Sequence, residues 1–441
     1  MRALLRNRTY SRLFAAQLVS LVGTGLATVA LGLLAYDLAG GSAGAVLGTA
    51  LAVKMAAYVV VSPVVGAWAD RVPRRTLLVG ANVVRGLVVL TLPFATQVWH
   101  VYVLVAVLQS AAAAFTPTFQ SVLPDVLPDD REYTKALSAS QFAVAAENTL
   151  SPLLAAAALT FMAFDALFVG TAVGFAVSAA LAVRTMIPAA HRSGRSRFSD
   201  RLSAGVRVFG RVPALRAVLG FDLVVSAAGA IALVSTVNVV RDLLGGGGSA
   251  VAGLLAVSGA GTAAAAVAAG PLLRRLHERA VMLVGAATAL AAVGGALALA
   301  AAPGWALACA VWGGIGLGTG LVLMPVGRVL RRSCTARDRP AVFAAQFSLS
   351  HACWLLTYPL TGWLATAAGF GVAWSALLGI GLAGAAAAAL LWPRRLTRPV
   401  PHLHDDSAGS HIERAERTAR GWTHSHEIVP DRHHRALTAA P

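Results

Sequence analysis

Lys54, Arg85, Glu147, Asp222 and His351 stand inside long apolar stretches of this chain. A charge withdrawn from water is costly unless it is paired or put to use, so each marks a candidate site. Glu147 is the most pointed of them. It adjoins Asn148 and lies one turn before Ser151-Pro152, and a carboxyl so placed can take up and release protons in the physiological range. Further along, Ser348-Leu349-Ser350-His351-Ala352-Cys353-Trp354 sets an imidazole two residues from a thiol. Imidazole, thiolate and carboxylate suit late first-row cations such as nickel, cobalt and zinc. On one helix, however, His351 and Cys353 are about 200° apart and cannot both face one small ion. Lys54 and Arg85 have two readings: ties to carbonyls, helix ends or each other, or contacts to a substrate. Gln109 is a further polar candidate in an apolar run.

The end of the chain offers a second kind of chemistry. Seven of the eleven histidines lie after Pro393: His402, His404, His411, His424, His426, His433 and His434. Two His-x-His pairs and one His-His pair, mixed with Asp405, Asp406, Glu427 and Asp431, offer loose binding of a divalent cation. The alternative is a polar extension with incidental histidines. Few large apolar residues occur there, which predicts disorder.

The elements that position these residues follow from composition. With 57% hydrophobic and 12% charged residues and a mean hydropathy of +0.70, the chain is far outside the soluble range. A membrane span needs about 20 apolar residues, and twelve candidates run over 13–38, 43–66, 76–94, 99–121, 137–160, 165–187, 215–240, 250–272, 280–301, 304–327, 341–366 and 371–392. The expectation is an all-α membrane protein. Basic residues crowd alternate gaps, and only Arg241 falls in a gap of the other set. Basic loops stay on the synthesis side of a membrane, so both termini are expected in the cytoplasm, in a multi-pass protein of the inner (plasma) membrane. Arg2, Arg6, Arg8 and Arg12 precede an apolar run too long for a signal peptide, which fits a retained first helix. At a rise of 1.5 Å per residue, Lys54, Arg85, Glu147 and His351 fall roughly 13–18 Å from the inner ends of their helices, near mid-membrane. Asp222 is shallower, at about 10 Å.

The long basic gap 188–214 divides the chain. The expected organisation is a six-helix bundle over 1–187, a cytoplasmic linker over 188–214, a second bundle over 215–393 and a cytoplasmic His-rich tail over 394–441. The halves echo each other: Gly66-x-x-x-Asp70-Arg71 with Arg75 aligns with Gly270-x-x-x-Arg274-Arg275 with Arg279, and Gln141-Phe142 with Gln346-Phe347. On that alignment His351 and Cys353 correspond to Glu147 and Asn148. Glycines 313, 314, 316, 318 and 320 read as small residues that let helices approach closely in lipid. The formal charge of +17 is spread along short loops rather than gathered on one face, so nucleic acid is not an expected partner. Cys309, Cys334 and Cys353 imply no disulfide framework.

The loop Gly66-Ala67-Trp68-Ala69-Asp70-Arg71-Val72-Pro73-Arg74-Arg75 resembles the signature loop of the major facilitator superfamily. Arg6-Asn7-Arg8-x-Tyr10, Phe115-x-Pro117 and Gly205-x-Arg207-x-Phe209-x-Arg211-x-Pro213 are similar to the exporter branch that includes enterobactin and macrolide efflux proteins. The resemblance implies two pseudo-symmetric six-helix bundles and alternating access. It carries the role of conformational latch to Gly66, Asp70, Arg71, Arg74 and Arg75. Where that branch often has an acidic residue three before Arg85, this chain has Asn82. The tail and the His351 helix together resemble nickel-resistance exporters with His-rich C-termini.

The expectation is therefore a proton-coupled efflux transporter, not an enzyme and without a resident cofactor. The proton gradient would supply the work and Glu147 would be the proton site. Asn148, His351, Cys353, Lys54, Asp222 and Gln109 would line the substrate cavity, with Arg85 as an intramembrane charge. The leading substrate is a divalent transition-metal cation, nickel or cobalt, with His402, His404, His424, His426, His433 and His434 as tail ligands. The alternatives are a drug-like organic molecule of macrolide or siderophore type, and a non-transporting membrane sensor or scaffold. Expected partners are the lipid bilayer, protons and the substrate, around a monomer.

Overall fold

The computed structural model describes residues 6–68, 72–127, 154–185, 206–334 and 339–392, with position 187, seven positions between 132 and 151, and three tail segments. Helix α1 (Arg8–Ala39) starts at Asn7, whose side chain accepts hydrogen bonds from the Thr9 and Tyr10 amides at 3.1 Å. That cap satisfies two of the orphan amides every helix start leaves. Gly40, at φ 52, ends α1, because a left-handed residue cannot continue the helix. There follow α2 (Ala43–Trp68), α3 (Arg74–Thr91) and α4 (Val98–Val126). Between 132 and 158 every described residue is helical, and this element is α5. Helix α6 is Asp165–Val183.

The second half repeats the plan with α7 (Pro213–Leu243), α8 (Gly248–Arg275), α9 (Glu278–Ala301), α10 (Trp305–Arg332) and α11 (Arg339–Leu391). Helix α11 is broken at Gly369, at φ 84, into two arms. Helix α7 carries two π-helical stretches, Ile231–Ser235 and Val239–Leu243. Buried Trp312 and Trp374 donate from their indole nitrogens to Thr236 (2.8 Å) and Ser235 (3.3 Å) there, which holds α7 against α10 and α11.

Among the described residues, nine helical stretches are long and apolar enough to cross a membrane. Two of them, Arg8–Val61 and Ala345–Leu391, have 54 and 47 residues, more than twice the roughly 20 that one crossing needs. The breaks at Gly40 and Gly369 turn the chain within them. Outward-facing residues such as Val60, Leu87, Phe94 and Leu390 are large and apolar, as a lipid-facing surface requires. The membrane part is all-α.

Packing is densest within each half: α1 and α3 lie on α6, α2 and α3 on α4, α8 and α9 on α10, and α7 on α11. The tenth-helix glycines serve this packing. A methyl group on Gly314 would stand 3.0 Å from Ala292, and one on Gly320 2.6 Å from Ala265. Between the halves the main seam is α2 on α11.

The tail differs from the disorder its composition predicts. Strands β1 (Val400–His404), β2 (Glu416–Thr418) and β3 (Gly421–His426) form an antiparallel sheet in the order β1-β3-β2, with position 402 opposite 424 and 404 opposite 422. Two three-residue His-x-His repeats have the two-residue period of a strand, and pairing gives their backbone groups partners.

Candidate functional site

Three charged side chains converge midway along the first half. Arg85, on α3, is only 4% exposed. Its two terminal nitrogens donate to hydroxyls of α1, to Ser20 at 2.8 Å and Thr24 at 2.6 Å. Ser20 and Thr24 are four residues apart and so share one helix face. The guanidinium also lies 4.0 Å from the centre of the Phe175 ring of α6, a cation–π contact. Asn82, one turn earlier, donates to Ser178 at 2.9 Å. Arg85 is thus held by neutral groups.

Lys54, on α2, faces the same region. Among the described residues it makes no hydrogen bond or ion pair. Glu147, on α5, lies within electrostatic reach of both Lys54 and Arg85, yet among the described residues it forms no ion pair with either. Gly25 places it there. A methyl group on Gly25 would overlap Ser151 and come within 3.5 Å of the Glu147 side chain, so α1 and α5 approach closely only because this residue is small.

Lys54 and Arg85 line a cavity of about 20 Å³ together with Thr24, Thr28, Gln109 and Phe175. Its size suits a water molecule or the end of a larger molecule. Gln109 is 8% exposed, and its side-chain oxygen has no hydrogen-bond partner.

Other expected site residues belong to the second half, and of these His351 is within electrostatic reach of Lys54. His351, on the first arm of α11, is packed between Phe347 (4.0 Å between ring centres) and Tyr58 (5.6 Å). Its Nδ1 is 2.6 Å from the Phe347 carbonyl oxygen and 3.4 Å from the Ser350 hydroxyl. Cys353 is a free, half-buried thiol. Asp222 is 3% exposed and accepts a hydrogen bond from Gln346 at 2.8 Å, which ties α7 to α11 within the second half. Among the described residues, no three of His, Cys, Asp and Glu come together as a metal-binding group. As helical direction requires, His351 and Cys353 point apart, and the rings of Phe347 and Tyr58 flank the imidazole.

In the signature loop, Arg75 donates from its guanidinium to the carbonyl of Val183 at the end of α6, where a helix C-terminus favours a cation. Gly66 is in the last turns of α2. Arg74 opens α3 and has an interaction partner. Asp70, Arg71 and Asn148 lie outside the described residues, as do His433 and His434. The other tail histidines of the expected ligand set, His402, His404, His424 and His426, occupy strand positions.

At the ends away from the basic loops, the two halves are joined. The Tyr36 hydroxyl of α1 donates to Asp242 of α7 at 2.5 Å. Asn238 donates to Asp242 at 2.8 Å and to the Gly41 carbonyl at 3.2 Å, and Trp363 donates to Thr49 at 3.0 Å. Gly44 and Gly48 of α2 meet Tyr358 and Gly362 of α11 backbone to backbone. Sequence reasoning missed these residues and Tyr58. The four-residue spacing of Lys54 and Tyr58 would have placed both on one face, while the partners across the halves carry no sequence signal.

Residues 13–326 match the family model described as Major Facilitator Superfamily. Among curated proteins, none matches the chain. Solved structures are similar at low identity. A bacterial homologue of the human lysosomal transporter Spinster, inward-facing and unoccupied, aligns with a TM-score of 0.70 and 16% identity over 88% of this chain and 99% of its own. The nucleoside transporter NupG, as a mutant, aligns with a TM-score of 0.69 and 12% identity over 87% and 100%. A D-xylose–proton symporter aligns with a TM-score of 0.65 and 15% identity over 87% and 97%.

Proposed function

This chain belongs to the Major Facilitator Superfamily, and we propose that it is a proton-coupled secondary transporter that exports a small organic molecule by alternating access. Its structural relatives named above are transporters rather than enzymes. The observation that carries the proposal is Glu147. Near Lys54 and Arg85, which line a cavity in the first half, stands a carboxyl bonded to neither among the described residues. Gain or loss of its proton changes the local charge by one unit where the dielectric is low, so it changes which state of the transporter is stable. The membrane potential, worth about 2.3 kcal/mol per charge per 100 mV, and the pH gradient supply the work. Outward direction is supported by the resemblance of Arg6–Tyr10, Phe115-x-Pro117 and Gly205–Pro213 to exporters.

Flux in proteoliposomes tests the coupling. With a pH-sensitive dye trapped inside, substrates found by a susceptibility panel on a deletion strain should drive proton movement through the wild type. Glu147→Gln should lose proton movement and keep substrate exchange. Full proton coupling in Glu147→Gln would remove Glu147 from the role.

A second reading, export of nickel or cobalt, is supported by the tail. The register places positions 402 and 424 opposite each other, with 404 and 426 two residues along their strands, so four histidine positions share one face of the sheet. Removal of residues 403–441 should then sensitise cells to nickel or cobalt; unchanged metal tolerance with altered antibiotic tolerance discards this reading.

A further inference from the structure

We propose that the cavity between α1, α2, α3 and α4 is a subsite for the anionic group of an organic acid, held by Lys54 and Arg85. The inference rests on reading the chain as a transporter of organic molecules and names the chemistry of what it carries.

The charge inventory of the cavity is lopsided. Lys54 and Arg85 both line it, and Glu147 is the one carboxylate within reach of either among the described residues. With Lys54 and Arg85 both protonated, the group carries one positive charge in excess when Glu147 is ionised and two when it is protonated. An uncompensated charge at membrane depth is disfavoured, and such residues typically find a partner of opposite sign. Neutral groups hold Arg85: two hydroxyls and a ring. They orient the guanidinium and leave its charge intact. Its Nε has no hydrogen-bond partner although it is buried. Lys54 has no bonding partner among the described residues. A carboxylate or phosphonate supplies what both lack, since its oxygens accept from an ammonium and a guanidinium at once. Phe175 and the apolar wall of Ala27, Leu31 and Leu108 would take the organic part next to it. A cation, whether a metal ion or an amine, would meet two like charges here. The small volume fits the head group of a larger molecule.

Simple aromatic probes can stand in for the substrate in the test. Full-length protein in detergent would be titrated with benzoate, phenylphosphonate, benzamide and benzylamine, which share a ring and differ in charge. A charge-assisted hydrogen bond contributes about 1.5–3 kcal/mol, or roughly ten- to hundredfold in affinity. Benzoate or phenylphosphonate should therefore bind at least about tenfold more tightly than benzamide, and benzylamine most weakly. Lys54→Gln should bring benzoate down to the level of benzamide. That variant removes the charge, shortens the side chain by one bond and breaks no hydrogen bond among the described residues, and its ligand-free melting should match the wild type. Benzamide or benzylamine binding as well as the anions overturns the subsite, as does a benzoate preference that survives Lys54→Gln. The wild-type comparison stands even if the variant does not fold. Failure of the transporter proposal would look different: anion-selective binding would persist while no solute moved protons in the dye-loaded proteoliposomes.

Discussion

Gly48 offers a direct test of whether the seam between the halves is a gate. It lies on α2 against α11. A methyl group at this position would stand 2.5 Å from the Tyr358 carbonyl oxygen and 3.4 Å from the Gly362 α-carbon. An ordinary carbon–oxygen contact spans about 3.3 Å, so the two backbones must part by roughly 0.8 Å in Gly48→Ala. Overpacking of this kind costs about 1–3 kcal/mol. Because α2 and α11 belong to opposite halves, the cost falls on the state in which they are pressed together and spares the state in which they separate. The expected result is a shift of roughly 5- to 150-fold toward the conformation open at the Gly40 end. The assay is labelling of a single cysteine at Thr28, which lines the cavity, by an impermeant maleimide added on that side. Cys309, Cys334 and Cys353 would first be replaced by serine. Gly220→Ala is the matched control: its added methyl group would also stand 2.5 Å from a carbonyl oxygen, that of Gly384, but α7 and α11 there belong to one half. It should lower the melting temperature without faster labelling. Gly253→Ala, with nothing within 4 Å, should do neither. If Gly48→Ala lowers melting like Gly220→Ala and leaves labelling unchanged, the seam is a fixed joint and the reasoning fails.

Two further expectations concern ties inside the second half. Glu278 is 4% exposed, accepts a hydrogen bond from Arg332 at 3.0 Å and forms an ion pair with Arg328 at 3.0 Å, so Glu278→Gln should lower stability by about 1–3 kcal/mol; an unchanged melting temperature in detergent would show that solvent already screens the cluster. Gln346→Leu leaves buried Asp222 without its donor and should destabilise the protein, whereas Gln346→Leu with Asp222→Leu should recover most of the loss, because removing both polar partners leaves nothing unsatisfied. A double variant that melts no higher than the single one would refute that account.

The apolar spans and the placing of Glu147 within one of them could be read from the chain because each depends on local composition. An apolar run of sufficient length has few places to go but a membrane, and helical rise converts residue number into depth. The glycines of α10 were likewise recognisable as packing residues, since close helix approach needs small side chains wherever the partner lies. What local sequence could not carry was which distant groups meet. The echo between the halves set His351 and Cys353 in correspondence with Glu147 and Asn148; it did not show that Phe347 and Tyr58 flank the imidazole or that the carboxyl keeps company with Lys54 and Arg85. Nothing in the sequence marked Gln346 as the donor to Asp222. Arg85 lacked its expected acidic neighbour, and only the packing of α1 and α6 on α3 shows the hydroxyls and ring that replace it. Composition and periodicity determined that this is a helical membrane protein with charged residues inside its apolar helices. Tertiary packing decided which charges share a cavity, because a side chain's partners depend on how helices far apart in sequence come together.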